Sequence, residues 1–411
     1  MTQSTIGPLA NEYITVYESP EPEHTFAYAP GLARLADGRL VATCEVTGSG
    51  KVFTSDDGGQ TWTHRHDFPF IQARPFAAGE LLYVIGQYGD LYIIRSDDGG
   101  DTWSSPAKLT EGLKWHQAPC NVHYANDCIY LVMERRVTQN VKGWFVGELA
   151  PVLMRGRRSG DLRRPENWTF AGELSFRDAM PGWETEPQID YFGVPFFRGP
   201  FPQGEMHAGR HMNPIGWLET NVVRFTDPNH IWCDPTGRTF HLWMRAHTGG
   251  TGYACIAKVV EQGDQPGTGE MVTQLEQAPS GNTMLYVPCP GGQMKFHVLY
   301  DEATKLYWLL STQATDSMIR PDRMHEDRYN LPNNERRRLQ LHFSKNMIDW
   351  CFAGLIAVGP VEKASRHYAS MVIDGEDLCI LSRSGNGRAK TAHHGNLITF
   401  HRVKNFRALV Y

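Results

Sequence analysis

Short apolar runs recur along the whole chain, each closed by Gly, Asp, Asn or a similar turn residue. Examples are GRLVATCEV ending at Val46, GELLYVIGQ ending at Gln87, FHLWMRAH ending at His247 and DLCILSRS ending at Ser384. Hydrophobic and polar positions in these runs either alternate or merge into an apolar block, which is strand patterning. Paired runs flank turn residues, as in HIWCDPTGRTFHLWMRAH, KFHVLYDEATKLYWLLST and SMVIDGEDLCILSRSG, so the strands read as antiparallel hairpins. No stretch carries a convincing amphipathic-helix period. The pattern predicts an all-β chain.

One turn is written twice. TSDDGGQTW spans Thr54 to Trp62, and RSDDGGDTW spans Arg95 to Trp103. In such a turn Ser and Asp satisfy backbone amides, Gly supplies an awkward dihedral, and Trp anchors the hairpin. Weaker echoes keep Ser159, Asp161 and Trp168, and then Ser344 and Trp350. Strand sets repeating over 411 residues predict a β-propeller, a ring of small antiparallel sheets. Six or seven blades fit this length, and seven are expected. The end strands EYITVYES and NLITFHRV are expected to close the ring within one blade. The whole chain, 1–411, reads as one domain with insertions at about 137–216 and 313–338. The first insertion is rich in aromatic, Gly, Pro and His residues, which suits a substrate wall over one face.

Composition narrows the partners. The formal net charge is −5, so no nucleic-acid surface is implied, although a local basic pocket remains compatible with it. No run of about eighteen apolar residues suggests a membrane span. The first residues lack the basic-then-apolar pattern of a leader. The eight cysteines (44, 120, 128, 233, 255, 289, 351 and 379) have no framework spacing. They read as free thiols of a cytoplasmic protein, or of a secreted one whose leader has been removed. No phosphate loop or nucleophile elbow is present, which argues against nucleotide and acyl-transfer chemistry.

The two boxed turns resemble those of the Asp-box, sialidase-like propellers. That resemblance implies the fold, not the reaction. Sialidases need an arginine triad for the substrate carboxylate, a Tyr–Glu nucleophile pair and an acidic Asp. Their first arginine lies in an Arg-Ile-Pro motif before the first box. Here the corresponding stretch is FAYAPGLARL, with Ala29-Pro30 at that place. This departure argues against a sialidase.

Three other stretches are similar to the ulvan lyase, rhamnosyl-glucuronate lyase and α-L-rhamnosidase group of propellers. They are KWHQAPCNVHYANDCIYLVMERR, GWLETNVVRF with RTFHLWMRAHTG, and LYVPCPGGQMKFHVLY. The resemblance covers most of the chain from about residue 110 and implies cleavage of a bond to a uronic acid, most simply a rhamnose-linked glucuronate. It puts His116 at the catalytic histidine's place and Tyr286 at the tyrosine's. β-Elimination needs a donor to neutralise the carboxylate, a base for the C5 proton and an acid for the leaving oxygen. Arg, His and Tyr suit these roles, so Arg245, His116 and Tyr286 are the expected set. Each also has an ordinary structural reading, and Tyr286 fits blade packing as well as catalysis. A histidine before the first blade is implicated in the rhamnosidase branch. His24 sits there, which keeps rhamnoside hydrolysis open as the alternative.

Further candidates for substrate binding are His207, Arg210 and His211 of EMHAGRHMNP, Glu219 and Asn221 of GWLETNVV, and His247. Arg366, His367 and Tyr368 of ASRHYAS complete them. A paired-carboxylate hydrolase would draw on Glu184, Glu186, Asp190, Glu205 or Glu219, though none stands in a motif. His230, Cys233, Cys289 and His297 could assemble a zinc site across neighbouring blades, and calcium or another cation near the axis is the other metal option. The expected partner is a uronic-acid-containing oligo- or polysaccharide. An exo-sialidase-like or a non-catalytic carbohydrate-binding propeller is the third possibility.

Overall fold

In the computed structural model, residues 7–138, 144–180, 204–207, 210–212, 215–326, 328 and 332–411 are described. They build six antiparallel sheets of four or five strands, arranged as the blades of a propeller, together with two short two-stranded ribbons. The first blade takes Ala27–Arg34, Leu40–Val46, Ser49–Ser55 and Thr63–Phe68 from axis to rim, and the second begins at Ile71–Ala78. The third is centred on Cys128–Arg136, the fourth starts at Gly216–Val223 and the fifth at His297–Asp301. The sixth runs Arg366–Asp374, Asp377–Ser384, Leu397–Val403, and Ile14–Glu18 pairs with Leu397–Val403 to complete it. The expected closure by the two chain ends is therefore present.

Six blades, not the expected seven, are formed by the described residues. The echo at residues 159–168 does not open a new sheet. It leads into Trp168–Phe170, the outer strand of the third blade. The segment at 313–338 joins two strands of the fifth blade. Sequence length alone overcounts blades because such insertions lengthen a blade without adding one.

Both boxed turns behave as their residues require. Ser55 Oγ accepts from Gly59 N–H at 2.8 Å, and Asp57 accepts from the Thr61 amide and hydroxyl at 2.9 and 2.6 Å. Trp62 Nε1 donates to Gly59 O. The second box repeats each bond, with Asp98 taking the Thr102 donors and Trp103 reaching Gly100 O. Gly59 has φ +91, and a Cβ there would sit 2.2 Å from the Phe400 ring. Only glycine meets both demands.

Apolar packing lies between blades, and beside the axis every blade junction carries a buried polar stitch. Thr43 Oγ1 donates to Ala73 O, Arg74 to Asn121 O, and Asn121 Nδ2 to Val222 O. Asn221 Nδ2 donates to Phe296 O, Lys295 Nζ to Ala369 O, and Ser370 Oγ to Pro30 O. Such bonds fix the rotation of one sheet against the next, which apolar contact alone leaves loose.

Candidate active site at the mouth of the propeller

Four of the six axial strands carry the same irregularity. Ala29, Gln72, Glu219 and Tyr368 each have φ between +48 and +58 at a break in strand register. A non-glycine residue in the left-handed region costs on the order of 1 kcal/mol or more, so the repeated bulge is an imposed feature. It occurs early in each axial strand. The second strands of the blades end at the same level, where Glu45, Glu134, Arg245 and Arg383 stand. Together these positions define one mouth, on the face opposite the boxed turns.

At its centre lie Tyr368, Glu219 and Arg245, from the sixth and fourth blades. Arg245 Nη1 donates to the Tyr368 hydroxyl at 2.7 Å and to Glu219 Oε2 at 3.3 Å. Its Nε donates to Gln293 O at 2.7 Å. Glu219 stands beside the same hydroxyl, and its charge helps to raise the phenol. Burial pushes the Tyr368 phenol up to about 12, against the pull of Arg245. The phenol is therefore neutral at rest, next to the Glu219 carboxylate.

Two further guanidinium groups flank the same ring. Arg336 lies 5.5 Å and Arg383 5.2 Å from the Tyr368 centroid. Arg336 is also 3.0 Å from His367 Nδ1, and burial with Arg336 and Arg383 holds His367 well below the usual imidazole range. Arg383 covers the Tyr28 ring at 4.3 Å. Tyr28 stands two residues before Pro30, where the Arg-Ile-Pro comparison looks for an arginine. A cation from the sixth blade thus occupies the neighbourhood that the first blade leaves without one. Tyr28 is bonded to His394 at 2.6 Å.

Carboxyl groups complete the mouth. Glu45 is buried and raised above the ordinary carboxylate range by that burial, with Arg383 and His116 opposing the shift. Glu134 is fully buried, accepts from Thr220 N and Oγ1 at 3.0 and 2.9 Å, and is raised by burial. His116 Nδ1 lies 3.8 Å from Glu134 Oε2, and its ring meets Phe145 edge-on at 5.6 Å. Trp144 lies 5.7 Å from Arg245 and 4.6 Å edge-on from His247.

Of the residues expected from the sequence, Arg245, Glu219, His116, His247 and His367 gather at this mouth. Tyr286 does not join them. It pairs with Cys255 on the outer side of the fourth blade and packs edge-on against Tyr253 at 5.2 Å. Both ends of the Asn221 amide bind the fifth blade, at Phe296 O and Val298 N. Arg366 donates to Ser365 O and Gly385 O and covers Tyr13. His24 is exposed on a turn before the first blade. His207, Arg210 and His211 belong to a ribbon, Gly204–His207 with Arg210–Met212, placed by its backbone alone. Glu184, Glu186 and Asp190 lie outside the described residues.

The zinc set does not assemble. Among the described residues no three His, Cys, Asp or Glu side chains converge on a metal-sized site. His230 stacks on Phe225 at 3.9 Å and uses both ring nitrogens, toward Asn346 O and Trp232 N. Cys289 is buried just after the strand Tyr286–Pro288, and His297 is buried at the start of His297–Asp301.

Tyr368 is one of the ASRHYAS candidates, without a role assigned by the sequence, and nothing in the sequence singles out Arg336, Arg383 or Glu45. One signal was available. MRAHTGG and SRSGNG both put an arginine near the end of a second strand, before a Gly-containing turn.

No protein-family model matches the chain, and no curated protein is similar to it in sequence. Solved structures are similar in fold. The Trypanosoma rangeli sialidase superposes with a TM-score of 0.55 at 13% identity, over 98% of this chain and 61% of that one. A Dyadobacter fermentans protein of unknown function gives 0.54 at 13% identity, over 96% of this chain and 98% of that one. The Penicillium chrysogenum α-L-arabinanase, solved with arabinobiose, gives 0.50 at 11% identity, over 97% and 99%. At these identities the likeness establishes the β-propeller fold alone.

Proposed function

We propose that this protein is a carbohydrate-active enzyme that hydrolyses the glycosidic bond of a carboxylate-bearing sugar, with Tyr368 as nucleophile. The observation that carries the reading is the 2.7 Å contact between Arg245 and the Tyr368 hydroxyl, with Glu219 bonded to the same guanidinium and standing beside the phenol. A neutral phenol next to a carboxylate is a nucleophile with its base in place. Three arginines around that phenol supply the charge that an anionic sugar requires. The sialidase and arabinanase that share the fold are carbohydrate enzymes, and this agrees with the mouth's chemistry.

In the first step the Tyr368 oxygen bonds to the anomeric carbon while its proton passes to Glu219. The bond to the leaving oxygen breaks, and Glu45, whose buried carboxyl is shifted toward its protonated form, gives that oxygen its proton. In the second step water attacks the anomeric carbon and yields a proton to the Glu45 carboxylate. The Tyr368–sugar bond breaks and Glu219 returns the phenol's proton. Arg245 stabilises the phenolic oxygen as its charge develops, and Arg336 and Arg383 hold the substrate carboxylate.

A second reading keeps the uronate β-elimination expected from the sequence. It is favoured by His116, which stands at the same mouth beside Glu134. One experiment separates the two. Aryl glycosides of sialic and glucuronic acids and rhamnose–glucuronate oligosaccharides are incubated with the protein. Released aglycone or sugar without ultraviolet absorbance of an unsaturated uronate supports hydrolysis. Growth of that absorbance supports elimination and refutes the Tyr368 mechanism, and no turnover of any of them leaves a binding protein.

A further inference from the structure

The four axial bulges share one kind of support. In each, the carbonyl just after the left-handed residue accepts a hydrogen bond from the preceding blade. Ser370 Oγ caps Pro30 O at 2.8 Å, Thr43 Oγ1 caps Ala73 O at 2.7 Å, and Gln117 Nε2 caps Thr220 O at 3.3 Å. The fourth cap is an ammonium. Lys295 Nζ donates to Ala369 O at 2.5 Å, with Ser370 Oγ at 3.2 Å and Tyr368 O at 3.5 Å. Neutral donors hold the other three bulges, so the backbone geometry does not call for a charge under Tyr368.

Lys295 is 1% exposed and makes no ion pair among the described residues. Sealing a cation from water without a close counter-ion is costly, and a neutral donor would avoid that cost. Burial lowers the ammonium to about 8, with Cys120 and Glu219 opposing the shift and Arg74 adding to it. It therefore keeps its proton at neutral pH. Burial pushes the Cys120 thiol up to about 12 and so keeps it neutral, which leaves Glu219 as the opposing charge. Glu219 itself faces Arg245, Tyr368 and Glu134.

We infer that Lys295 is a positioning residue for catalysis, which fixes the backbone carrying Tyr368 and acts by its charge on the Tyr368–Glu219 pair. The inference rests on the reading of Tyr368 as nucleophile and Glu219 as its base. The buried cation favours the carboxylate that takes the phenolic proton. It also favours the negative charge that develops on the phenolic oxygen as that proton leaves. Lys295 itself gives no proton to the reaction and does not touch the sugar.

The test uses Lys295→Gln, which offers the bulge an amide, as Gln117 does at Thr220, and removes the charge. Initial rates with an aryl glycoside of an acidic sugar are followed against pH, alongside urea unfolding and labelling by a fluorinated analogue. The variant should fold. Its kcat/KM should fall by about 10- to 100-fold, which is what one nearby charge contributes at the effective dielectric of a protein interior. The loss should lie in kcat, with KM near wild type, and the acid limb of kcat/KM should move up by about one pH unit. A folded variant with wild-type kcat/KM makes Lys295 a backbone cap only and overturns the inference. A lower rate with an unmoved acid limb does the same, because a disturbed backbone leaves the charge felt by Glu219 unchanged. If Lys295→Gln does not fold, Lys295→Met is measured in the same way; if neither folds, the ammonium serves the fold and the inference is again overturned. Labelling separates this result from the nucleophile reading. A wild-type enzyme labelled elsewhere than on Tyr368 refutes that reading and this inference with it. Wild type labelled on Tyr368, with the variant labelled at the same rate, refutes the inference alone.

Discussion

Replacing Tyr368 by Phe removes one oxygen atom from the centre of the mouth. The bond lost is the 2.7 Å contact from Arg245. Arg245 keeps Gln293 O at 2.7 Å and Glu219 at 3.3 Å, so no charge is left unpaired. The variant should therefore fold, at a cost of about 1.5–3 kcal/mol for a hydrogen bond to a charged group. The effect on catalysis is expected to be much larger. If the phenolic oxygen forms the bond to the sugar, kcat/KM should fall by about 10³-fold or more, equivalent to at least ~4 kcal/mol of transition-state stabilisation. A phenol that only positions Arg245 would cost about 10- to 100-fold. The assay is initial-rate hydrolysis of an aryl glycoside of an acidic sugar. It is paired with mass spectrometry of the protein after exposure to a fluorinated analogue that traps a glycosyl intermediate. The label should fall on the peptide containing Tyr368. A Tyr368→Phe enzyme that retains more than about a tenth of wild-type kcat/KM, or a label on another residue, would refute the nucleophile assignment.

Other substitutions probe the rest of the machinery. Arg383→Ala should raise KM for acidic substrates about 10- to 100-fold with a smaller change in kcat, because it removes one cation from the carboxylate's surroundings; an unchanged KM would discard that role. Glu45 holds its proton more tightly folded than unfolded, since burial raises it. Its contribution to stability is thus complete below the ordinary carboxylate value and is lost as pH rises through the folded one. The alkaline limb of kcat/KM should follow the same group, and Glu45→Gln should flatten the stability fall and remove that limb. Urea titrations and pH–rate profiles check both, and a limb that persists in the variant points to another acid. Asp98→Ala at the second box should cost ~1 kcal/mol in urea unfolding, by loss of the two Thr102 bonds, and leave kcat/KM unchanged. A drop in activity there would show that the boxed face communicates with the mouth.

The amino-acid order by itself determined the strands, the paired boxes and the closure of the ring. These are local: alternation selects the extended chain, and a Ser-x-Asp-x-Gly-x-Thr-Trp turn satisfies its own bonds within nine residues. Arg245 was also legible, as an arginine near a strand end before a glycine-rich turn. Tertiary structure decided which side chains share the mouth. Tyr368 and Arg245 are 123 residues apart, and only the ring's closure brings them to 2.7 Å. The axial bulges decided the rest. A single left-handed residue at Glu219 or Tyr368 breaks the two-residue alternation on which strand reading depends. Tyr286, in an ordinary strand, lies with its blade, whereas Tyr368, in a bulge, meets Arg245 and Glu219 at the centre of the mouth.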